Sequence, residues 1–204
     1  MKTDELIKML ATGVEPVKQH VTEKLITKAL LTGTTISLLL LIAIYGIRPD
    51  LREVSTTFAF WMKLGVPLVN VLLGLAFVVT LAYPGKQLKI GYWILAVPVL
   101  VLWIWALKIW FGTEPNLHSE LILGKTWRVC VMNITFLALP AGAAIFLVLR
   151  ELAPTRPITT GAIAGWLSGS LGASVYALHC PEMAAPFLAI WYVLGMLVPT
   201  AIMA

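Results

Sequence analysis

Long apolar runs separated by short polar stretches dominate the chain. A helix needs about 20 mostly apolar residues to cross roughly 30 Å of hydrocarbon, and each run reaches that scale. None of them alternates polar and apolar residues over about ten positions, as β-barrel strands do. The pattern therefore predicts an all-α polytopic membrane protein with six transmembrane helices, at residues 29–47, 63–83, 90–111, 128–149, 159–178 and 186–203. The fifth run is the weakest, because it is rich in Gly, Ala and Ser.

The composition agrees with a membrane protein. Of the 204 residues, 59% are hydrophobic and 12% are charged, and the mean hydropathy is +0.90. Soluble domains carry about 25% charged residues. An ordinary soluble enzyme, a disordered chain and a secreted disulfide scaffold are therefore excluded. The first apolar run follows a 28-residue segment rather than a short basic region, so it is not a signal peptide.

Lysine and arginine positions predict the orientation. With the N-terminus inside, segments 1–28, 84–89 and 150–158 hold nine Lys and Arg residues, and the other side holds six. Because short cytoplasmic segments of membrane proteins carry the excess of these residues, we expect both termini in the cytoplasm.

Ionisable groups are scarce within the spans, which contain no Asp, Glu or His. Lys63, Lys108 and Arg128 fall near span ends, where long side chains reach the interface. Asn70 and Asn133 are expected to form hydrogen bonds with neighbouring helices. A small-solute or ion transporter is the alternative function, although transporters usually carry ionisable groups in mid-membrane.

A stripe of small residues runs along the fifth span at every fourth position: Gly161, Gly165, Gly169, Ala173 and Ala177. Such a stripe lets another helix approach closely. Tight internal packing is the favoured interpretation, with dimerisation as the alternative. Ser168 and Ser170 lie in the same helix without a facing base, so they give no support for an enzyme.

The two cysteines, Cys130 and Cys180, are predicted at the same depth on the non-cytoplasmic side. Three interpretations stay open: two buried small side chains, a structural disulfide in an oxidising compartment, or a redox- or metal-responsive thiol pair. His179, with Glu182 and His118, could complete a soft-metal site with the thiolates. No other cofactor is expected.

Residues 1–28 form the one sizeable polar segment. Thr3 is a suitable N-cap and Asp4 suits the first turn of a helix. An apolar face at helical spacing follows at Leu6, Ile7 and Leu10. A second helix opening at Pro16 is expected to run into the first span. The segment is interpreted either as a helix on the lipid surface or as a partner-binding hairpin.

Four motifs in order along the chain resemble the NrsF-type anti-sigma factors. They are Met1-Lys2-Thr3-Asp4-Glu5-Leu6-Ile7 continuing to Pro16-Val17, Arg48-Pro49-Asp50-Leu51, Trp127-Arg128-x-Cys130, and His179-Cys180-Pro181-Glu182. Two departures are visible. Met183 stands where an acidic residue is expected, and the chain ends at Ala204 without a basic tail.

The resemblance implies a six-span protein of the bacterial inner membrane that inhibits an extracytoplasmic-function (ECF) sigma factor. Its cytoplasmic N-terminal segment would bind the sigma factor through Thr3, Asp4, Leu6, Ile7 and Leu10. An envelope, oxidative or heavy-metal stress, with Cys130 and Cys180 as candidate sensors, would release it. The protein would contact membrane lipid, bind no nucleic acid directly and catalyse no reaction. The inducing signal, the target genes and the oligomeric state stay open.

Overall fold

The computed structural model describes residues 3–12, 21–83 and 91–204, and these form helices and turns without a β-strand. The α-helices are α1 (Thr3–Ala11), α2 (Val21–Leu40), α3 (Leu51–Val54), α4 (Phe58–Leu81), α5 (Ala96–Phe111), α6 (His118–Leu123), α7 (Trp127–Leu152), α8 (Pro157–Tyr176), α9 (Ala185–Phe187) and α10 (Val193–Met203). Shorter helical turns are π-helical at Leu41–Tyr45 and Leu188–Tyr192 and 3-10 at Tyr92–Leu95 and Pro115–Leu117. The prediction of an all-α chain is confirmed.

Five helical segments of the described chain are long and apolar enough to cross a membrane: Val21–Tyr45, Phe58–Leu81, Tyr92–Phe111, Pro115–Leu152 and Ala185–Met203. They correspond to the first four predicted spans and the sixth. The first membrane-length helix, α2, begins at Val21 rather than at residue 29, because the more polar residues that precede the apolar run are also helical. The predicted helix start at Pro16 and the basic segment 84–89 lie outside the described residues.

The predicted fifth span is a 20-residue helix, α8, but it is not among the segments apolar enough to cross a membrane by composition. Its position in the bundle explains the difference. Helices α4, α7 and α10 all pack against α8, and every residue from Leu167 to Tyr176 is buried. A helix that faces protein on most sides needs no apolar surface for lipid, so its sequence is small and hydroxyl-rich.

The small residues of α8 serve internal packing. A Cβ atom added to Gly169 would lie 2.7 Å from the Met196 carbonyl oxygen of α10. Gly165 approaches the Pro199 carbonyl in the same way, and Ala173 is completely buried. The interpretation of the stripe as a tight packing surface is confirmed, and the stripe is covered within the chain rather than free for a second copy.

Polar side chains join the central helices as predicted. The Trp166 indole of α8 donates a hydrogen bond to Asn70 Oδ1 of α4 at 3.1 Å. Asn133 of α7 accepts from the Tyr45 hydroxyl at 3.0 Å and donates to the Tyr176 hydroxyl at 3.3 Å. Both asparagines therefore bond to neighbouring elements, since an unpaired amide in a membrane interior is costly.

Candidate functional site

The two cysteines meet at one end of the bundle. Cys130 lies in the first turn of α7, and Cys180 lies in the loop that follows α8, where its amide donates to the Tyr176 carbonyl oxygen at 3.0 Å. Both side chains are completely buried and both are free thiols. The two thiols lie close enough to influence each other's ionisation. The fold thus joins two residues that stand 50 positions apart in the sequence.

Lys63 of α4 reaches into the same cluster, and the expectation that it extends to the interface is wrong. Its side chain is only 2% exposed. The ammonium donates hydrogen bonds to the carbonyl oxygens of Cys180 at 2.6 Å and of Glu182 at 2.8 Å. A buried ammonium is costly unless it is well paired. In the described part of the chain, no carboxylate lies within ion-pair distance of it.

Tyr192 closes the cluster from the π-helical turn before α10. Its ring lies 5.5 Å from Lys63 Nζ, and its buried hydroxyl has no hydrogen-bond partner among the described residues. We call Cys130, Cys180, Lys63 and Tyr192 the thiol site. The Cys130 thiol and the Lys63 ammonium lower the pKa of the Cys180 thiol, and burial opposes them.

Arg48 fixes the loop that carries Cys180. Its guanidinium binds Asp50 in a bidentate pair, with Nε and Nη2 each 2.7 Å from a carboxylate oxygen. The remaining Nη1 donates to the Cys180 carbonyl oxygen at 3.1 Å and contacts Met183 Sδ at 3.6 Å. The same carbonyl therefore accepts from two cationic side chains. The Arg48 hydrogen bonds also lower the pKa of the Asp50 carboxyl.

The other candidate metal ligands are engaged elsewhere. His179 Nδ1 donates to the Gly46 carbonyl oxygen at 3.0 Å, and its ring contacts those of Tyr45 and Tyr176. The Glu182 carboxylate accepts from the Lys125 amide at 2.6 Å.

His118, the remaining candidate, stacks on Trp110 with ring centroids 3.8 Å apart. Its Nε2 lies 3.1 Å from the carbonyl oxygens of Trp110 and Thr113. Within residues 3–12, 21–83 and 91–204, no three Cys, His, Asp or Glu side chains are grouped so as to hold a metal ion.

The N-terminal helix α1 is the second candidate site. It begins at Thr3, and Asp4 lies in its first turn as predicted. The side chains of Leu6, Ile7 and Met9 are 39%, 58% and 64% exposed. Leu10 belongs to the helix, but its side chain lies outside the described part. An apolar face is thus presented to the surroundings.

Sequence reasoning missed Lys63, Arg48 and Tyr192. The predicted second span began at Lys63 and so placed it at a boundary. The helix begins five residues earlier, at Phe58, with the Thr57 hydroxyl accepting from the Phe60 amide. This N-cap was the signal that could have placed Lys63 more than one turn inside the helix.

The fold and these two sites define a class: helical proteins with several membrane-length apolar helices, a buried thiol pair at one end and an exposed amphipathic helix at the start. The chain belongs to the NrsF family, described as negative regulator of sigma F, whose profile matches residues 10–204. The resemblance found in the sequence is confirmed. The family consists of anti-sigma factors, which are regulatory proteins rather than enzymes and bind a sigma factor.

Two relatives cover nearly the whole chain. A probable anti-sigma-F factor NrsF of Azospira oryzae is 38% identical over 202 residues, which are 99% of this chain and 95% of the relative. An anti-sigma-F factor NrsF of Caulobacter vibrioides is 37% identical over 206 residues, covering 97% of this chain and 92% of the relative. No solved structure matches the chain.

Proposed function

We propose that this chain is an anti-sigma factor of the bacterial inner membrane that sequesters an ECF sigma factor through its N-terminal segment, residues 1–28. The observation that carries the proposal is the exposed apolar face of α1, with Ile7 58% exposed. An amphipathic helix with free apolar positions is a common means of docking into a groove of a partner protein. The anti-sigma relatives favour this partner over a transported solute.

The contact surface consists of Leu6, Ile7 and Leu10 on one face of α1, with Thr3 and Asp4 at its start. Burial of apolar side chains supplies most of the affinity of such an interface. Asp4 near the helix N-terminus favours the helical state that presents this face.

We assign α8 as a sixth membrane span. An even number of spans puts both termini on the same side of the membrane. Its start packs against Met203 at the end of α10, and its end reaches Asn133 near the start of α7. A helix of 20 residues is about 30 Å long, close to the hydrocarbon thickness. The excess of Lys and Arg in segments 1–28, 84–89 and 150–158 then favours a cytoplasmic location for both termini.

In this topology the thiol site lies at the outer face, opposite the sigma-binding segment. We propose that oxidative or heavy-metal stress changes Cys130 and Cys180, either by forming a disulfide or by a soft metal bridging the two thiolates. The Cys180 loop is hydrogen-bonded to the segment that follows the π-helical turn Leu41–Tyr45, through His179 to Gly46 and through the Arg48 amide to the Leu178 carbonyl oxygen. Since α2 lies next after α1 among the described helices, a change in the loop has a direct route to the sigma-binding segment.

The test is co-purification of the full-length chain with the ECF sigma factor that it regulates. Leu6→Asp with Leu10→Asp should abolish the complex and leave membrane insertion intact, because a charge buried at an interface core costs several kcal/mol. Thr12→Asp is the control for an added negative charge, since it introduces an aspartate just past the end of α1. Undiminished binding by the double variant would contradict the proposal.

A further inference from the structure

We propose that a groove between α7 and α10 binds one anionic phospholipid of the cytoplasmic leaflet. An acyl chain lies along the groove, and the phosphate lies at the start of α8. This site is separate from the sigma-binding segment and from the thiol site, and it rests on the assignment of α8 as a membrane span.

The groove has the character of an acyl-chain site. Its volume is about 390 Å³, and its lining is apolar except for Thr135 and Ser168. The Ser168 hydroxyl is already bonded to the Gly165 carbonyl oxygen at 3.0 Å. Two of the lining residues, Phe146 and Ile202, are 53% and 69% exposed. The groove is therefore open along its side, where an acyl chain of the surrounding lipid can enter.

The length of the groove matches one leaflet of a bilayer. Along α7 it extends from Thr135 to Phe146, which is about 16 Å at 1.5 Å per residue. One leaflet contributes about half of the roughly 30 Å of hydrocarbon. Phe146 lies one helical turn before Arg150, near the cytoplasmic end of α7 in the proposed topology. The groove thus covers the depth of the cytoplasmic leaflet.

A second cavity, of about 270 Å³, continues the groove toward the cytoplasmic face, because Phe146 and Met203 line both. Arg150 of α7 and the first turn of α8, at Pro157 and Ile158, line its other walls. The cavity is therefore apolar where it meets the groove and positively charged at its opposite end. An anionic phospholipid has its parts in the same order, from the acyl chain to the phosphate.

The start of α8 offers donors to an anion. Its N-cap residue, Arg156, makes no side-chain cap, and its first turn contains no acidic residue. The first hydrogen bond of the helix runs from the Thr160 amide to the Arg156 carbonyl oxygen, at 2.9 Å. The preceding amides of Ile158 and Thr159 have no acceptor within the helix. The positive end of the helix dipole therefore favours an anion here.

The Thr160 hydroxyl is an independent sign of a ligand. Thr160 lines the cavity and is completely buried, yet its Oγ1 has no hydrogen-bond partner among the described residues. An unpaired buried hydroxyl is costly. Thr80 of α4, by contrast, is also buried and donates to the Ala76 carbonyl oxygen at 2.8 Å. A phosphate oxygen in the cavity would accept the hydrogen bond that Thr160 lacks.

Arg150 and Arg156 supply positive charge beside the cavity. Both are exposed, and neither forms an ion pair within the part of the chain that the structure describes. Glu151 follows Arg150 but does not line the cavity. Arginine binds phosphate oxygens well, and basic residues attract anionic lipid. The charge therefore favours a phospholipid with a net negative headgroup over a zwitterionic one.

The test is thermal unfolding of the full-length protein in detergent with added lipid. Dioleoylphosphatidylglycerol should raise the melting temperature by about 5–10 °C at roughly 100 times its dissociation constant. Dioleoylphosphatidylcholine, with the same acyl chains but no net charge, should bind several-fold more weakly. Dioleoylglycerol and inorganic phosphate should each have little effect. Equal binding of the two phospholipids, or the full effect from inorganic phosphate alone, would overturn the proposal.

Two pairs of variants locate the lipid. Arg150→Gln should raise the half-saturating concentration of phosphatidylglycerol about fivefold, whereas Arg52→Gln, at an exposed arginine of α3, should leave it unchanged. Ala143→Phe should block the groove, because Ala143 lines it from an exposed position. Ala201→Phe is the matched control, since Ala201 is exposed and lines neither cavity. Identical lipid binding within either pair would contradict the site.

Thr160→Val separates a ligand-binding role from a packing role, because it keeps the shape and removes the hydroxyl. Without lipid, its melting temperature should equal or exceed that of the wild type, since an unpaired hydroxyl contributes no stability. Its half-saturating concentration of phosphatidylglycerol should rise. Unchanged lipid binding would reject the role of Thr160. Should this variant fail to fold, the comparison of lipids on the wild-type protein still decides.

A second copy of the chain is the alternative occupant of the groove. Native mass spectrometry distinguishes it, because a dimer that Ala143→Phe dissociates and Ala201→Phe preserves would replace the lipid. None of these measurements involves a sigma factor. Failure here therefore leaves the binding test of α1 intact, and failure of that test leaves the lipid site intact.

Discussion

The imidazole of His179 donates a hydrogen bond from Nδ1 to the carbonyl oxygen of Gly46, 3.0 Å away. His179 directly precedes Cys180, and Gly46 directly follows the π-helical end of the first membrane helix. Gly46 has φ 74°, a left-handed conformation that glycine adopts without strain. This hydrogen bond therefore helps to join the cysteine loop to the helix that leads back toward the N-terminal segment.

Loss of that hydrogen bond should separate sensing from release. His179→Phe keeps an aromatic ring in contact with Tyr45 and Tyr176 but removes the donor. We expect the variant to form the Cys130–Cys180 disulfide as fast as the wild type, while release of the sigma factor is blunted. Gel mobility of the oxidised chain and pull-down of the sigma factor measure the two steps. Release of the sigma factor from His179→Phe at the wild-type level would rule out this route. Loss of both Cd²⁺ binding and Cd²⁺-induced release in this variant would instead indicate that His179 is a metal ligand.

The cysteines should behave as one unit. Cys130→Ser and Cys180→Ser should each blunt sigma release by thiol-reactive stress, and the double variant should be no worse than either single one, because groups that act together are not additive. A sigma-dependent reporter in cells exposed to oxidants and to Cd²⁺ measures release. Normal induction in the double variant would make both cysteines structural.

The topology is open to a direct test with alkaline phosphatase, which is active only outside the cytoplasm. Fused after Pro115 it should be active, and fused after Gln87 inactive, because the excess of Lys and Arg favours the N-terminal side as cytoplasmic. The reverse pattern would place the thiol site in the reducing cytoplasm and remove the basis for a periplasmic sensor.

Close packing between α8 and α10 predicts a strong effect of one methyl group. At Gly169 an added Cβ would lie 2.7 Å from the Met196 carbonyl oxygen, so Gly169→Ala must shift the two helices and should destabilise the bundle by about 1–3 kcal/mol. Gly65→Ala is the matched control, because nothing lies within 4 Å of its added Cβ. Thermal unfolding in detergent measures both, and equal melting temperatures would contradict the packing.

The ion pair between Arg48 and Asp50 predicts sensitivity to acid. The pKa of Asp50 lies below its ordinary value of 3.8 in the folded protein. Its contribution to stability is therefore fully present above that ordinary value and is lost as the pH falls through the lowered pKa. Asp50→Asn should remove this acid transition, seen as a flatter dependence of melting temperature on pH below about 4. An unchanged profile in Asp50→Asn would show that the carboxylate contributes nothing.

The sequence was sufficient to predict the five membrane-length helices, because a long apolar run is typical of a helix whose surface suits lipid. It was less informative for α8, whose surroundings are α4, α7 and α10. The location of Cys130 and Cys180 at the same end of the bundle followed from the order of the predicted spans. The buried position of Lys63 did not follow from the sequence, since a lysine near the end of an apolar run normally reaches the interface. Only the fold reveals the two carbonyl oxygens that hold its ammonium inside.

The small, weakly apolar sequence of α8 also bears on how the protein is made. A segment of this kind partitions poorly into bare lipid when it leaves the translocon, because little of its surface is hydrocarbon-like. Its glycines instead match α10, which is synthesised after it. We therefore expect α8 to insert stably only after α10 has been synthesised. Deletion of α10 would then leave α8 uninserted and make the chain a substrate for membrane proteases.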